Sequence, residues 1–174
     1  VLAGGLGTRI HGVLGDTPKI MAPINGRCFL DHLITSLESF GARRIVLCLG
    51  HLASEVVKYI ESRNAGTAAL DYVVEPRPLG TGGALCHALP RLHSADVLVL
   101  NGDTWLEIDQ CEFLDHHRRE AGQITLACAS VTDAGRYGRV ELDHRGRVIR
   151  FVEKDETATG PARINGGAYL FTRS

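Results

Sequence analysis

The chain has 174 residues, one domain's length by the usual prior of roughly 100–200 residues each. Its 44% hydrophobic and 22% charged residues exclude a disordered, collagen-like or coiled-coil chain. Lys and Arg number 19 against 20 Asp and Glu, a net charge of -1. No basic excess is present to hold nucleic acid and no polybasic run to hold a membrane, so any bound anion must be met by local groups.

In chain order, Val1-Leu2-Ala3 reads as the end of a strand. Phe29, Leu30, Leu33, Ile34, Leu37 and Phe40 fall on one helical face, with Gly41 as the stop. Ile45–Leu49 is a near-continuous apolar run that suits a strand covered on both faces. Val56, Val57 and Ile60 mark a second helix. Tyr72–Val74 is a strand, and Ala84, Leu85, Ala88 and Leu89 mark a helix ended near Pro90. Val97–Leu100 is another strand. A fourth helix opens on Asp109, with Glu112 as its capping partner, and runs to Gly122. After the run Ile124–Val131 the pattern changes: Arg139–Leu142 and Val148–Val152 alternate around Asp143-His144-Arg145-Gly146, a hairpin with one wet face. Alternating strands and helices predict an α/β fold, Rossmann-like, with α/β/α layers, a mostly parallel mixed sheet and this hairpin as an insertion. The tail Ala168–Ser174 also stops on a strand. We expect a single domain over 1–174 that is cut at its ends, truncated above all at the C-terminus.

The five cysteines, Cys28, Cys48, Cys86, Cys111 and Cys128, are odd in number and form no Cys-x-x-Cys pair. A disulfide framework or zinc site is not expected; they read as small buried apolar groups in a reducing, cytoplasmic compartment. No run is long enough to span a membrane, and no signal peptide opens the chain. Oligomeric state is not legible, and a homo-oligomer stays open. His116-His117 reads as a solvated helix face, His11 as a surface residue and Trp105 as core or rim packing.

Ligands of open α/β sheets bind beyond the carboxyl ends of the strands. The loop after the first strand, Gly4-Gly5-Leu6-Gly7-Thr8-Arg9, lets backbone N–H groups approach an anion, and Arg9 can clamp phosphate oxygens. It is neither common phosphate loop: Ile10 stands where a dinucleotide fingerprint has its third glycine, and Gly12 is followed by Val13 rather than Lys. This argues against a nicotinamide-dependent dehydrogenase. In Thr17-Pro18-Lys19 the proline stiffens the approach to a lysine suited to a charged phosphoryl transition state. A second glycine-rich strand-to-helix loop, Gly80-Thr81-Gly82-Gly83, could let a flat base lie against backbone. Asp103, after the strand Val97–Leu100, is the candidate Mg²⁺ ligand.

At this point the chain resembles the sugar-1-phosphate nucleotidyltransferase family. The resemblance rests on Leu2–Arg9, Pro18-Lys19, Leu79–Gly83, Gly102-Asp103, Tyr137-Gly138, Glu153-Lys154 and Ile164-Asn165-Gly166-Gly167. Met21–Arg27 and Tyr137–Asp143 are similar to the branch that uses GTP and a heptose 1-phosphate. The resemblance implies that Gly4, Gly5, Gly7, Thr8 and Arg9 hold the triphosphate and that Lys19 meets the reacting phosphates. It implies that Gly80, Thr81, Gly82 and Gly83 line base and ribose, and that Asp103 binds Mg²⁺. Gly138, Glu153, Lys154 and Asn165 would face the sugar phosphate. The substrates would be an NTP and a sugar 1-phosphate, with no nucleic acid and no membrane as partner. The family's second metal-binding aspartate has no match before Ser174, and Ile20 and Gly167 depart from the family pattern. The expected reaction is an in-line displacement needing no general base, since the attacking phosphate is already ionised. Other members of the family, acting on mannose or glucose 1-phosphate, and a non-catalytic nucleotide-sugar sensor are the alternatives.

Overall fold

The computed structural model describes residues 1–5, 12, 15, 17–63, 66–135, 137–153 and 160–173. They form two compact units, Val1–Asp103 with Arg173–Ser174, and Thr104–Thr172.

The first unit opens on β1 (Leu2–Ala3), followed by a 3₁₀ turn at Lys19–Met21 and a small hairpin of β2 (Pro23–Ile24) and β3 (Arg27–Cys28). The hairpin turns on Asn25 and Gly26, both at positive φ, the Asn-Gly signature of a two-residue turn. Then come α1 (Phe29–Ser39), β4 (Arg44–Leu49), α2 (Ala53–Ser62), β5 (Ala69–Val74), α3 (Gly80–Ala88) and β6 (Asp96–Leu100). β4 pairs in parallel with β1 and with β5, and β1 meets the end of β6 at a parallel Leu2–Asn101 bridge. The sheet order is β5-β4-β1, with the isolated Leu2–Asn101 bridge bringing the end of β6 alongside β1, and the parallel pairing is what the alternating strand and helix pattern implied. The helical face read from the sequence is the buried one: Leu30, Ile34 and Leu47 are fully buried and pack with Leu49 and Val56.

α1 and the end of α2 are tied by Asp31, whose carboxylate accepts from the Tyr59 hydroxyl at 2.5 Å and from Arg63 Nε at 2.9 Å. Burial alone would raise the Asp31 carboxyl. Hydrogen bonds from Tyr59 and Cys28 and the charge of Arg63 outweigh it and hold the carboxyl below its ordinary value. A carboxyl depressed on folding contributes stability that is complete above its unfolded value of about 3.9 and is lost as pH falls through the lower folded value. Asp31→Asn should therefore flatten the acid limb of the stability profile below about pH 4. Urea midpoints measured from pH 2 to 6 check this; parallel profiles for both proteins would contradict it.

The second unit contains α4 (Gln110–Glu120), β7 (Ile124–Val131), β8 (Arg139–Leu142), β9 (Val148–Val152) and β10 (Ala162–Thr172). Within the unit the strands pair antiparallel: β10 with β7, β10 with β8 at Ile164–Arg139, and β8 with β9. Asp109 caps α4, accepting from the N–H groups of Cys111 and Glu112. The helix stops at Glu120, short of the expected Gly122, because Ala121 takes the left-handed conformation that ends it. In the β8–β9 turn, Asp143 Oδ1 accepts from the N–H groups of Arg145 and Arg147.

Two expectations change. His117 is not on a solvated face; it is buried, 1% exposed, with its ring nitrogens 2.7 Å from Thr125 Oγ1 and 3.0 Å from Thr172 Oγ1. It lies four residues after Phe113, on the side of α4 that meets the sheet, and the two hydroxyls satisfy a ring that would otherwise be costly to bury. The cysteines are all free, but only Cys48 is buried; Cys86 and Cys111 are exposed on helices. Burial pushes the Cys48 thiol up, away from the reactive thiolate form. For Trp105, expected in core or rim packing, 54% exposure excludes the core and agrees with the rim. Among the described residues no helix is long and apolar enough to cross a membrane.

Candidate functional site

In the first unit the chain runs from β1 outward to β4 and β5 on one side and to β6 on the other. That reversal, at the carboxyl ends of the strands, is where an open α/β sheet leaves a crevice. A cleft of about 390 Å³ occupies it. Gly4, Gly5, Lys19, Gly80, Thr81 and Asp103, all expected site residues, line this cleft. Gly7, Thr8 and Arg9, with His11, lie outside the described residues.

Lys19 is held by its neighbours. Pro18, at φ −55°, leads into the 3₁₀ turn, the Met21 N–H donates to the Pro18 carbonyl at 2.8 Å, and Ile20 is buried at 3% exposure. The lysine stem therefore leaves a backbone anchored in the core. Asp103 is placed from the other side. The Gly102 N–H donates to the Leu2 carbonyl at 2.7 Å, and the Leu2–Asn101 bridge fixes the end of β6 beside β1. The two anchors bring Lys19 Nζ and Asp103 Oδ2 to 2.6 Å across 84 residues of sequence. Both side chains keep substantial exposure, 37% and 46%, so the pair is open to solvent and to a ligand. An exposed pair of this kind is worth only about 0–1 kcal/mol, so a substrate phosphate can draw the ammonium away at little cost.

The glycines are spaced by close backbone approach. A Cβ on Gly102 would sit 2.7 Å from the Leu2 carbonyl oxygen, and one on Gly50 would sit 2.6 Å from the Gly4 carbonyl oxygen. These contacts let the loops after β1, β4 and β6 close on one another at the cleft. Gly80 to Gly83, expected as a loop, form the first turn of α3 instead. Gly80 has φ +68°, a conformation that favours glycine, and lies with Thr81 on the cleft wall. Gly82 and Gly83 lie outside the lining, Gly83 facing the Leu79 side chain. The first turn of a helix presents unpaired N–H groups, so the change from loop to helix keeps the capacity to meet an anion.

Sequence reasoning, drawn to glycine-rich loops, passed over four cleft residues: His51, Leu52, Glu75 and Asn101. Each directly follows or nearly follows a strand, so the carboxyl-end rule alone would have found them. Leu52 has φ +56°, an uncommon conformation for a branched residue. Glu75 Oε2 accepts from the Leu79 N–H at 2.9 Å, bracing the approach to α3.

In the second unit, the register across β9, β8 and β10 puts Val152, Arg139 and Ile164 in one row. Glu153, Gly138 and Asn165 are each one residue from that row, so three of the four residues expected at the sugar phosphate share one stretch of the sheet. Lys154, the fourth, lies outside the described residues.

A family profile described as Nucleotidyl transferase matches residues 1–174. D-glycero-alpha-D-manno-heptose 1-phosphate guanylyltransferase of Campylobacter jejuni is 36% identical over 173 residues, 99% of this chain and 75% of that protein. The protein of the same name from Aneurinibacillus thermoaerophilus is 33% identical over 100% of this chain and 74% of its own length. Among solved structures, HddC from Yersinia pseudotuberculosis is 36% identical, with a TM-score of 0.87 over 98% of this chain and 74% of that one. The same protein complexed with GMP-PN gives a TM-score of 0.86 at the same coverage. A profile match from end to end, relatives above 30% identity over nearly the whole chain, and a shared fold at a TM-score of 0.87 together establish that this chain belongs to the nucleotidyl transferase family.

Proposed function

We propose that this chain transfers a guanylyl group from GTP to D-glycero-α-D-manno-heptose 1-phosphate, giving a GDP-sugar and pyrophosphate. The observation that carries the reading is the convergence of Lys19 and Asp103 at 2.6 Å in a cleft bordered by Gly4 and Gly5. The choice of base and sugar is supported by the relatives, which include two guanylyltransferases named for that heptose phosphate and a structure bound to GMP-PN.

Both reactants are anions, and their repulsion is the first barrier. In the proposed sequence the triphosphate lies against the backbone of Gly4 and Gly5, with Arg9 as a second phosphate contact and Gly80, Thr81, Gly82 and Gly83 beside base and ribose. Lys19 Nζ leaves Asp103 for a phosphate oxygen of the nucleotide. Gly138, Glu153, Lys154 and Asn165 hold the sugar phosphate. One of its oxygens attacks the α-phosphorus, the bond from that phosphorus to the bridging oxygen breaks, and pyrophosphate leaves with the electron pair. Fixed charges and N–H groups already oriented before the reaction need no reorganisation as charge builds.

The residues present suit Mg²⁺. Asp103 offers a hard carboxylate oxygen at the rim of the cleft, and among the described residues no group of three or more His, Cys, Asp or Glu forms a complete cage. Mg²⁺ prefers this arrangement, one or two carboxylates with substrate phosphates and water completing its shell. When bound, the ion neutralises phosphate charge.

The free thiols exposed at Cys86 and Cys111 suit a reducing compartment, and we place the reaction in the cytoplasm, where it would supply a precursor for a cell-surface polysaccharide. Pyrophosphate release measured over four NTPs crossed with heptose, mannose and glucose 1-phosphates tests the reading. Turnover is expected with GTP and the heptose phosphate. Turnover only with mannose 1-phosphate would overturn the sugar, and none with any pair would leave a binding domain.

A further inference from the structure

Asn165 lies at a break in the β7–β10 ladder. Asn165 stands opposite Cys128 and Ala168 opposite Ala127, so Gly166 and Gly167 are two extra residues on β10. Both need to be glycine. Gly167 has φ +76°, and a Cβ on Gly166 would sit 2.7 Å from Leu106 Cδ2 and 2.9 Å from the Ala127 carbonyl oxygen. The departure from the family pattern at Gly167 thus falls where an alanine would be strained. Bulges of this kind re-aim a side chain.

The consequence is a contact that a regular strand does not allow. Residues four apart in a strand are about 13 Å apart along the backbone. Here Asn165 Nδ2 donates to the Tyr169 hydroxyl at 2.6 Å. The Gly167 N–H donates to Asn165 Oδ1 at 2.8 Å. A backbone N–H can only donate, so Oδ1 must face Gly167, and Nδ2 is thereby directed at the tyrosine. Asn165 is exposed, yet both ends of its carboxamide are held. One N–H and one oxygen lone pair remain, a donor and an acceptor suited to a sugar hydroxyl.

We propose that Tyr169 is a positioning residue that orients the Asn165 carboxamide toward a hydroxyl of the acceptor sugar. The proposal rests on the reading of Asn165 as a sugar-phosphate contact. An amide held before binding loses little rotamer freedom when the sugar arrives, which is where the affinity gain arises. The Tyr169 hydroxyl accepts from the amide and turns its own proton elsewhere.

The test is a double-mutant cycle with Tyr169→Phe and Asn165→Ala, measured as KM for the sugar 1-phosphate, KM for GTP and kcat. Tyr169→Phe keeps the ring and so the packing. It should raise the acceptor KM roughly three- to ten-fold, the scale of one net hydrogen bond, and leave kcat and the GTP KM unchanged. In the Asn165→Ala background the same change should add nothing. If Asn165→Ala raises the acceptor KM while Tyr169→Phe does not, or if the two effects add, the positioning role is wrong and the sugar contact stands. If Asn165→Ala leaves the acceptor KM alone, the sugar contact itself fails and the proposal with it. A fall in GTP affinity or kcat in step with the acceptor KM would mark a purely structural role.

Discussion

Replacing Lys19 by alanine should reduce turnover by roughly 10²–10³, the loss seen when one preorganised charge-stabilising donor is removed. The size follows from what the ammonium does. It sits at the closed end of a chain of anchors, Pro18 before it and buried Ile20 after it, and its Nζ is 2.6 Å from the one carboxylate that the Gly102–Leu2 hydrogen bond fixes at the rim. Negative charge accumulates on the phosphoryl group as the new bond forms, and a cation that is already placed stabilises that charge without moving water. The folded protein should hardly change, because an exposed ion pair contributes about 0–1 kcal/mol. Steady-state rates beside thermal melts therefore separate the two effects. Lys19→Arg should recover only part of the activity, since a planar guanidinium does not occupy the place of a compact ammonium. Turnover of the alanine variant within a few-fold of wild type would remove Lys19 from the reaction.

Replacing Asp103 by asparagine should raise the Mg²⁺ concentration needed for half-maximal rate by at least about tenfold. Loss of a partner that only orients a ligand already costs about 10- to 100-fold, and Asp103 is proposed as a ligand itself. The substitution keeps shape and removes charge, so backbone placement at Gly102 should survive. It also removes the negative charge that holds Lys19 between turnovers, and saturating Mg²⁺ should restore rate only in part. The informative readout is the Mg²⁺ titration at fixed GTP, which a purely positional role for Asp103 would leave unshifted. An unchanged titration curve with a lower maximum would assign the residue to holding Lys19 alone.

Much of the fold was legible because burial imposes a period. α1 declared itself through Leu30, Leu33, Ile34 and Leu37, and β4 through an unbroken apolar run that only a strand covered on both sides tolerates. Residue type misled where a polar group was internally satisfied. His117 follows Phe113 at the spacing of one helical face, but a histidine reads as solvated until the Thr125 and Thr172 hydroxyls are seen to pair with its two ring nitrogens. Gly80 to Gly83 read as a loop because glycine is a poor helix former, although the first turn of a helix makes few of the bonds that glycine weakens. The Lys19–Asp103 pair could be guessed only as two separate roles, since 84 residues lie between them and the contact depends on the Leu2–Asn101 bridge. Tyr169 was invisible for a similar reason: without the two-residue bulge its hydroxyl and the Asn165 amide are too far apart to notice one another.

The reaction is tested most directly by following the phosphorus atoms. GTP labelled at the α-phosphate, incubated with the heptose 1-phosphate and Mg²⁺, should yield a labelled GDP-sugar, and GTP labelled at the γ-phosphate should yield labelled pyrophosphate and unlabelled sugar. Label passing from the γ-phosphate to the sugar, or no α-label in any sugar product, would contradict attack at the α-phosphorus and the function built on it.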